Sequence, residues 1–206
     1  MAQSSVQHVT FFFDPACPWT WRTSRWVVHV TARRSIPLGF RAFDLSDGEP
    51  VDTMPERYRP AIRASRGFLR AIEQAHADGG DDIVGPIYAA YGALVHDGDV
   101  DPSPQLVREV FAEHGGGRYL DALDDTSLDK PVAAARAEAQ EFSGDDTGSP
   151  VIVLQTTTGD FGVFGPVLAP TPTGADADRV WDGVVALATT PEFFELKRRR
   201  TADPTG

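Results

Sequence analysis

The stretch FFFDPACPWTW, residues 11–21, describes a strand that ends in a turn and then the first residues of a helix. Residues 8–13 are apolar, aromatic or β-branched and lead into Asp-Pro, which is typical of a buried strand. From residue 17 to about 34, apolar side chains recur on one helical face and two arginines close the segment. Residues 37–43 alternate into a second strand. Residues 8–43 therefore predict a βαβ unit with a parallel strand pair and a right-handed crossover.

Cys17 is the only cysteine of the chain and falls at the start of this predicted helix. The backbone N–H groups of a first helical turn lack intrahelical partners and carry partial positive charge, so we expect the thiol to ionise more easily than a free one. Pro18 fits the placement, because proline is tolerated at the first helical position. A lone cysteine is often buried and inert, but a strand, a turn and Cys-Pro at a helix start favour a reactive thiol.

The middle of the chain is a series of helical patterns, and strand character returns late in the sequence. Thr53 and Glu56 resemble a capping box at the start of the first of these helices. Residues 151–155 and 161–164, joined by a Thr-Gly-Asp turn, predict an antiparallel hairpin. The helices are expected near residues 54–77, 82–96, 104–114, 127–142 and 176–196, the last interrupted near Pro191.

The order of elements is βαβ, a helical segment, then ββα, which is that of an α/β thioredoxin-like fold interrupted by an inserted all-helical domain. We expect residues 1–52 and 146–206 to form the thioredoxin-like domain and residues 53–145, the helical insert, to form a lid. Cys17 then lies at the helix start that thioredoxin-like folds use.

Ser149-Pro150 immediately precedes the predicted third strand. In a thioredoxin-like fold a cis-proline loop stands at this place and faces the active thiol. Only about 5% of X–Pro bonds in folded proteins are cis, so this expectation rests on position alone. With a cis bond, the backbone groups of Ser149 would lie open beside the sulfur and pair with an extended thiol or peptide.

The composition is that of an ordinary globular protein with an excess of acidic residues. A length of 206 residues suffices for one domain with an insertion, and the net charge of −11 argues against nucleic acid or an anionic membrane as partner. No signal peptide or transmembrane stretch is visible and no internal disulfide is possible, so we expect a cytoplasmic protein. The oligomeric state, monomer or homodimer, stays open. His76 and His96 match no metal-ligand spacing, so no metal is expected. The run 197–200 suggests either an anion site or, as we favour, a solvated basic end of the last helix.

Five segments in register resemble one family across nearly the whole chain. They are FDPACPW at 13–19, IEQAH at 72–76, TGSP at 147–150, FGPVL at 164–168 and PEFFELKR at 191–198. They are similar to the DsbA-like family that includes the mycothiol-dependent nitroreductases of actinobacteria, near the kappa-class glutathione transferases and the 2-hydroxychromene-2-carboxylate isomerases. The resemblance implies a thioredoxin core with a helical lid, a reactive thiol matching Cys17, and a low-molecular-weight thiol, mycothiol or glutathione, as reductant.

One departure matters, because the family's well-known motif is Cys-Pro-Trp-Cys and this chain has Thr20 at the second cysteine position. A DsbA-type disulfide donor is therefore excluded. Monothiol chemistry remains, in which the Cys17 thiolate attacks a disulfide or an electrophile and a second thiol, mycothiol by our expectation, releases the mixed disulfide. The Thr20 hydroxyl would lower the thiol pKa further, whereas a nearby carboxylate would raise it, so we assign Asp14 to the turn. The expected site comprises Cys17 and Thr20 for catalysis and Pro18, Trp19, Ser149 and Pro150 for substrate binding.

Two other functions stay open on the sequence. In a kappa-class-like transferase or isomerase the bound thiol reacts and Cys17 only positions it. In a non-catalytic thioredoxin-like module the insert binds a ligand or partner, although retention of the Asp-Pro-Ala-Cys-Pro-Trp segment argues against this.

Four aromatic side chains near the expected site allow two interpretations each. Trp19 and Trp21 either form a wall for a flat substrate or pack between the core and the insert. Tyr88 and Tyr91 either face the cleft or, as we favour, pack in the core with hydrated hydroxyls.

Overall fold

The computed structural model describes residues 5–204 and confirms the predicted α/β architecture. Its strands are β1 (Val6–Phe13), β2 (Leu38–Ala42), β3 (Val151–Thr156) and β4 (Gly159–Phe164), in the spatial order β2-β1-β3-β4. Strand β1 pairs parallel with β2 and antiparallel with β3, and β3 and β4 form the predicted hairpin. The βαβ and ββα parts therefore share one sheet.

Helices join β1 to β2 and fill the long connection from β2 to β3. They are α1 (Pro18–Arg34), α2 (Arg59–Ala77), α3 (Val84–Gly92), α4 (Pro104–Glu113), α5 (Asp129–Ser143) and, after β4, α6 (Gly174–Ala188). Helix α3 continues directly into a π-helical turn, Ala93–Asp97. Across the described stretch, residues 5–204, no helix has the length and apolar character needed to cross a membrane.

Two helix boundaries differ from the sequence prediction. Helix α2 begins at Arg59, because the chain first forms short 3₁₀ turns, and the Thr53 hydroxyl donates to the carbonyl of Pro50 (2.6 Å) instead of capping a helix. Helix α6 ends at Ala188, since a proline disfavours helical conformation in the residue before it and Pro191 follows closely. The chain after Ala188 is therefore irregular where a helix was expected.

Strand β1 separates two cores, because its side chains alternate between the faces of the sheet. Phe11 and Phe13 lie in the larger core, whereas Phe12 lies in a smaller one on the other face. The Phe13 ring packs 4.1 Å from that of Tyr88 in α3 and 6.0 Å from that of Phe68 in α2, measured between centroids. Each buried aromatic side chain contributes about 1.5–3 kcal/mol. The insert is thereby held over the end of β1, where the expected site begins.

Candidate active site

Cys17 lies at the junction between the sheet and α1. Strand β1 ends at Phe13, a turn follows in which the Cys17 amide donates to the Asp14 carbonyl (3.1 Å), and Cys17 is the N-cap residue of α1. Pro18 occupies the first helical position. The Cys17 side chain is half-buried and, within residues 5–204, forms no disulfide. The local sequence thus places a free thiol at the amide end of a helix.

Two hydroxyls link α1 to the loop before β3. The Thr20 and Ser149 hydroxyl oxygens are 2.9 Å apart, and the Asp14 amide donates to the Ser149 hydroxyl at 3.0 Å. The Ser149–Pro150 peptide bond is cis. Ser149 and Pro150 are both buried, and Ser149 is only 6% exposed. The Ser149 hydroxyl thus belongs to an internal network, and the pairing of the Ser149 backbone with a substrate stays a prediction.

Asp14 is a buried carboxyl at the base of the site. Its Oδ1 accepts hydrogen bonds from the Ala16 amide (2.8 Å) and the Ser65 hydroxyl (2.6 Å), and its Oδ2 accepts one from the Leu45 amide (2.9 Å). Burial raises the pKa of Asp14 to about 6, although these hydrogen bonds oppose the rise. The assignment of Asp14 to the turn fits the Ala16 contact, but Asp14 also joins the turn to α2.

The expected low pKa of Cys17 is not found. Burial raises the pKa of the Cys17 thiol above its ordinary value, and the negative charge of Asp14 adds to the rise. The Thr20 hydroxyl and the backbone amides of Thr20 and Trp19 lower it, in the direction predicted for Thr20. Desolvation outweighs these donors, so the net shift of the Cys17 pKa is upward.

The two tryptophans after Cys17 have different environments. Trp21 is 2% exposed, its indole N–H donates to both Asp97 carboxylate oxygens (3.1 Å each), and the Arg25 guanidinium lies 4.0 Å from its ring centroid. Trp21 therefore packs between α1 and the insert. Trp19 is half-buried, and the guanidinium of Arg200 lies 4.7 Å from its ring centroid. Of the two tryptophans, Trp19 is thus the more exposed, and its role as a wall for a substrate stays a prediction.

The insert contributes polar contacts to the site that sequence reasoning missed. His96 Nε2 lies 2.9 Å from the carbonyl oxygen of Pro15, which only accepts, so this ring nitrogen is the donor. Burial lowers the pKa of His96. Asp97, the next residue, bonds Trp21 and also pairs with Arg22 at 2.9 Å. His96 is thus a polar residue with a hydrogen-bond partner in the turn before Cys17, and no spacing signal in the sequence connects it to Cys17.

Tyr88 and Tyr91 pack in the core, as favoured. Both are fully buried in contact with Phe13 or Phe68, so their hydroxyls are not hydrated from the surface as expected. Burial raises the pKa of both hydroxyls far above the ordinary range. Among residues 5–204 there is no group of three or more histidine, cysteine or acidic side chains that could hold a metal ion.

A thioredoxin-like sheet with a helical insertion, and a cysteine at the start of the first helix, define the class of DsbA-like thiol proteins. Within that class, residues 16–198 match the model of the family described as Rv2466c-like, mycothiol-dependent nitroreductase Rv2466c. The chain belongs to this family.

One curated relative and two solved structures are also similar to this chain. The uncharacterized protein Rv2286c of Mycobacterium tuberculosis is 30% identical over 198 residues, which is 94% of this chain and 82% of the relative. The cytosolic disulfide reductase DsbM from Pseudomonas aeruginosa superposes with a TM-score of 0.58 at 15% identity, covering 88% of this chain and all (100%) of that one. The structure of DsbM with GSH gives a TM-score of 0.56 at 15% identity over 87% of this chain and 100% of that one. At such low identity these two structures show the shared fold.

Proposed function

We propose that the protein is a monothiol oxidoreductase that uses Cys17 as nucleophile and a low-molecular-weight thiol, mycothiol or a similar one, as reductant. The observation that carries the proposal is a free thiol at the N-cap of α1 with Thr20 one turn away. Membership of a mycothiol-dependent family supports the choice of reductant. The superposition on DsbM, whose structure was solved with GSH, is consistent with a small thiol as partner.

The proposed reaction conserves atoms and electrons. The Cys17 thiolate attacks a substrate disulfide, a new S–S bond forms, and the other half leaves as a thiolate. A small thiol then attacks the mixed disulfide at the outer sulfur, which regenerates the Cys17 thiolate and releases a disulfide between that substrate half and the small thiol. One cycle thus consumes one small thiol and frees the other substrate half as a thiol, and no second cysteine is needed.

The surrounding residues have proposed roles in this reaction. Thr20 donates its hydroxyl to the thiolate, and Ser149, which bonds Thr20, orients that hydroxyl. Pro18 and Trp19, both half-buried, contact the substrate beside Cys17, and Pro150 supports Ser149 in the loop. The division into a thioredoxin-like domain (1–52 and 146–206) and a helical lid (53–145) remains part of the proposal.

Mass spectrometry of the intact protein tests the mechanism. After incubation with oxidised mycothiol, or separately with oxidised glutathione, we expect a mass gain of one thiol adduct that a reduced thiol removes, and no gain in Cys17→Ser. Because the thiolate is the attacking species and the pKa of Cys17 is raised, adduct formation should still accelerate above pH 8. Absence of an adduct at every pH contradicts the proposal.

The raised thiol pKa favours one alternative specifically, the kappa-class-like transferase. A protonated Cys17 can hydrogen-bond a bound thiolate without changing covalent state. In that case Cys17→Ser would retain thiol-transfer activity, whereas the oxidoreductase would lose it.

A further inference from the structure

The chain after α6 returns to the first turn of α1. Residues 189–204, called the C-terminal tail here, follow Ala188 without a helix. Arg200 of this tail stacks on Trp19 at 4.7 Å, and the carbonyl of Pro204 accepts a 2.7 Å hydrogen bond from Arg22 Nε. A cavity of about 410 Å³ lies alongside, lined by Arg22, residues 169–171, Ala202 and Asp203. The tail therefore borders the site, where the sequence suggested a solvated helix end.

Arg200 brings a positive charge to a strongly acidic protein. The chain has a net charge of −11, yet residues 197–200 are four consecutive basic residues. Arg22, the other arginine at this place, is neutralised by Asp97 at 2.9 Å. Arg200 thus adds a positive charge beside Trp19, in the first turn of α1.

The contact with Trp19 places this charge at the first turn of α1, whose N-cap residue is Cys17. The backbone amide of Trp19 hydrogen-bonds the Cys17 thiol. A guanidinium stacked on an aromatic ring keeps its N–H donors in its own plane, where they can bind a carboxylate, phosphate or sulfonate in bidentate geometry. Lysine or an unstacked arginine would be less well oriented.

We propose that Arg200 is a specificity-determining residue that selects anionic substrates for Cys17. The substrate class is a disulfide or electrophile that carries a carboxylate, phosphate or sulfonate near the reacting atom. The proposal deepens the proposed function and rests on it for the assignment of the reaction to Cys17. Arg200 takes no part in bond formation, and its effect is on which substrates reach the thiol.

Two alkylating reagents of similar size test the selection directly. Iodoacetate is an anion and iodoacetamide is neutral, and each forms one S–C bond with Cys17 while iodide leaves. The ratio of their rate constants, followed by intact mass, cancels effects on thiol pKa and on access. Because exposed charge pairs are weak, Arg200→Gln should lower the iodoacetate to iodoacetamide ratio by a modest factor, about threefold, at low ionic strength. High salt should shrink the difference.

Arg118→Gln is the matched control. The Arg118 guanidinium also lies 4.7 Å from an aromatic centroid, that of Tyr119, and its substitution changes the net charge equally. Arg118 lies beside Gly80, just after the C-terminal end of α2. That end of the helix is roughly 18 Å from Ser65, whose hydroxyl donates to Asp14 at the site. We expect the reagent ratio of Arg118→Gln to equal that of the wild type.

The other outcomes overturn the proposal. An unchanged ratio in Arg200→Gln, with both rates raised alike, means that the tail only covers the thiol. If the iodoacetate to iodoacetamide ratio falls equally in Arg200→Gln and Arg118→Gln, the effect is one of net charge. If neither reagent alkylates Cys17, the thiol cannot be reached. Alkylation needs no disulfide exchange, so the two proposals can fail separately. If the reagent ratio shifts in Arg200→Gln but no mixed disulfide forms on Cys17, the oxidoreductase mechanism is wrong and the selection by Arg200 stands.

Discussion

Asp14 is a nearly buried residue, only 3% exposed, that acts on the thiol from the base of the site. Its carboxyl accepts from Ala16, Leu45 and Ser65, and its charge raises the pKa of Cys17. The sequence could show that Cys17 and Thr20 belong together, because both lie in one local stretch. It could not show the burial of Asp14, because Leu45 and Ser65 come from distant parts of the chain.

Asp14→Asn should lower the pKa of Cys17, since the substitution removes a like charge while keeping an acceptor for the Ala16 amide. The measurement is the pH dependence of the rate of iodoacetamide alkylation, read by intact mass. The midpoint should move to lower pH, so that the variant reacts faster than the wild type at neutral pH. Asp160→Asn, an exposed change in β4, serves as control and should leave the profile in place. A midpoint that stays fixed or rises in Asp14→Asn would refute the role given to this charge.

Among the elements, the end of α3 and the π-helical turn after it connect the insert to the thiol. His96 bonds the carbonyl of Pro15, and Asp97 bonds the buried indole of Trp21. A helix was predicted near residues 82–96, but these contacts were not, because nothing in the local sequence indicates which loop the end of a helix contacts. π-helical turns occur frequently at functional sites, and this one lies against the turn before Cys17.

Gly92 lets α3 approach α1 closely. A Cβ at this position would lie 2.2 Å from Cε3 of Trp21, which is fully buried and has little freedom to move. Gly92→Ala should therefore destabilise the protein by about 1–3 kcal/mol through overpacking. Chemical denaturation measures the free energy of unfolding.

Gly183→Ala is the matched control, because Gly183 lies in α6 with open space around its missing Cβ. The same substitution should stabilise there by about 0.5–1 kcal/mol, from helix propensity alone. If the two variants change stability in the same direction and by the same amount, close packing of α3 on Trp21 is not what Gly92 provides.

For the whole molecule, the order of strands and helices could be read from the sequence, because each strand pattern is short, apolar and bounded by turn residues. The path of the C-terminal tail could not be predicted from the sequence. Helical periodicity continued in the sequence beyond Ala188, whereas Pro191 and the contact between Arg200 and Trp19 decide the structure. Tertiary contacts of an irregular segment leave no periodic signal.

In mild acid, the titration of Asp14 should dominate the pH dependence of the free energy of unfolding of the whole molecule. Burial raises the pKa of Asp14 from 3.8 to about 6, so between these values the native state holds a proton that the unfolded chain has lost. The free energy of unfolding therefore decreases as pH rises through this window, by up to about 3 kcal/mol at 1.36 kcal/mol per pKa unit.

Asp14→Asn should abolish this decrease, because an amide does not titrate. Any fixed cost of the substitution, such as a lost hydrogen bond to the Leu45 amide, is the same at every pH and cancels when two pH values are compared. Urea denaturation at about pH 3.5 and pH 7 measures the difference between variant and wild type, which should move in favour of the variant by up to about 3 kcal/mol toward neutral pH. A difference that stays constant would mean that Asp14 is charged in the native state throughout this range, and that Ser65, Leu45 and Ala16 outweigh its burial.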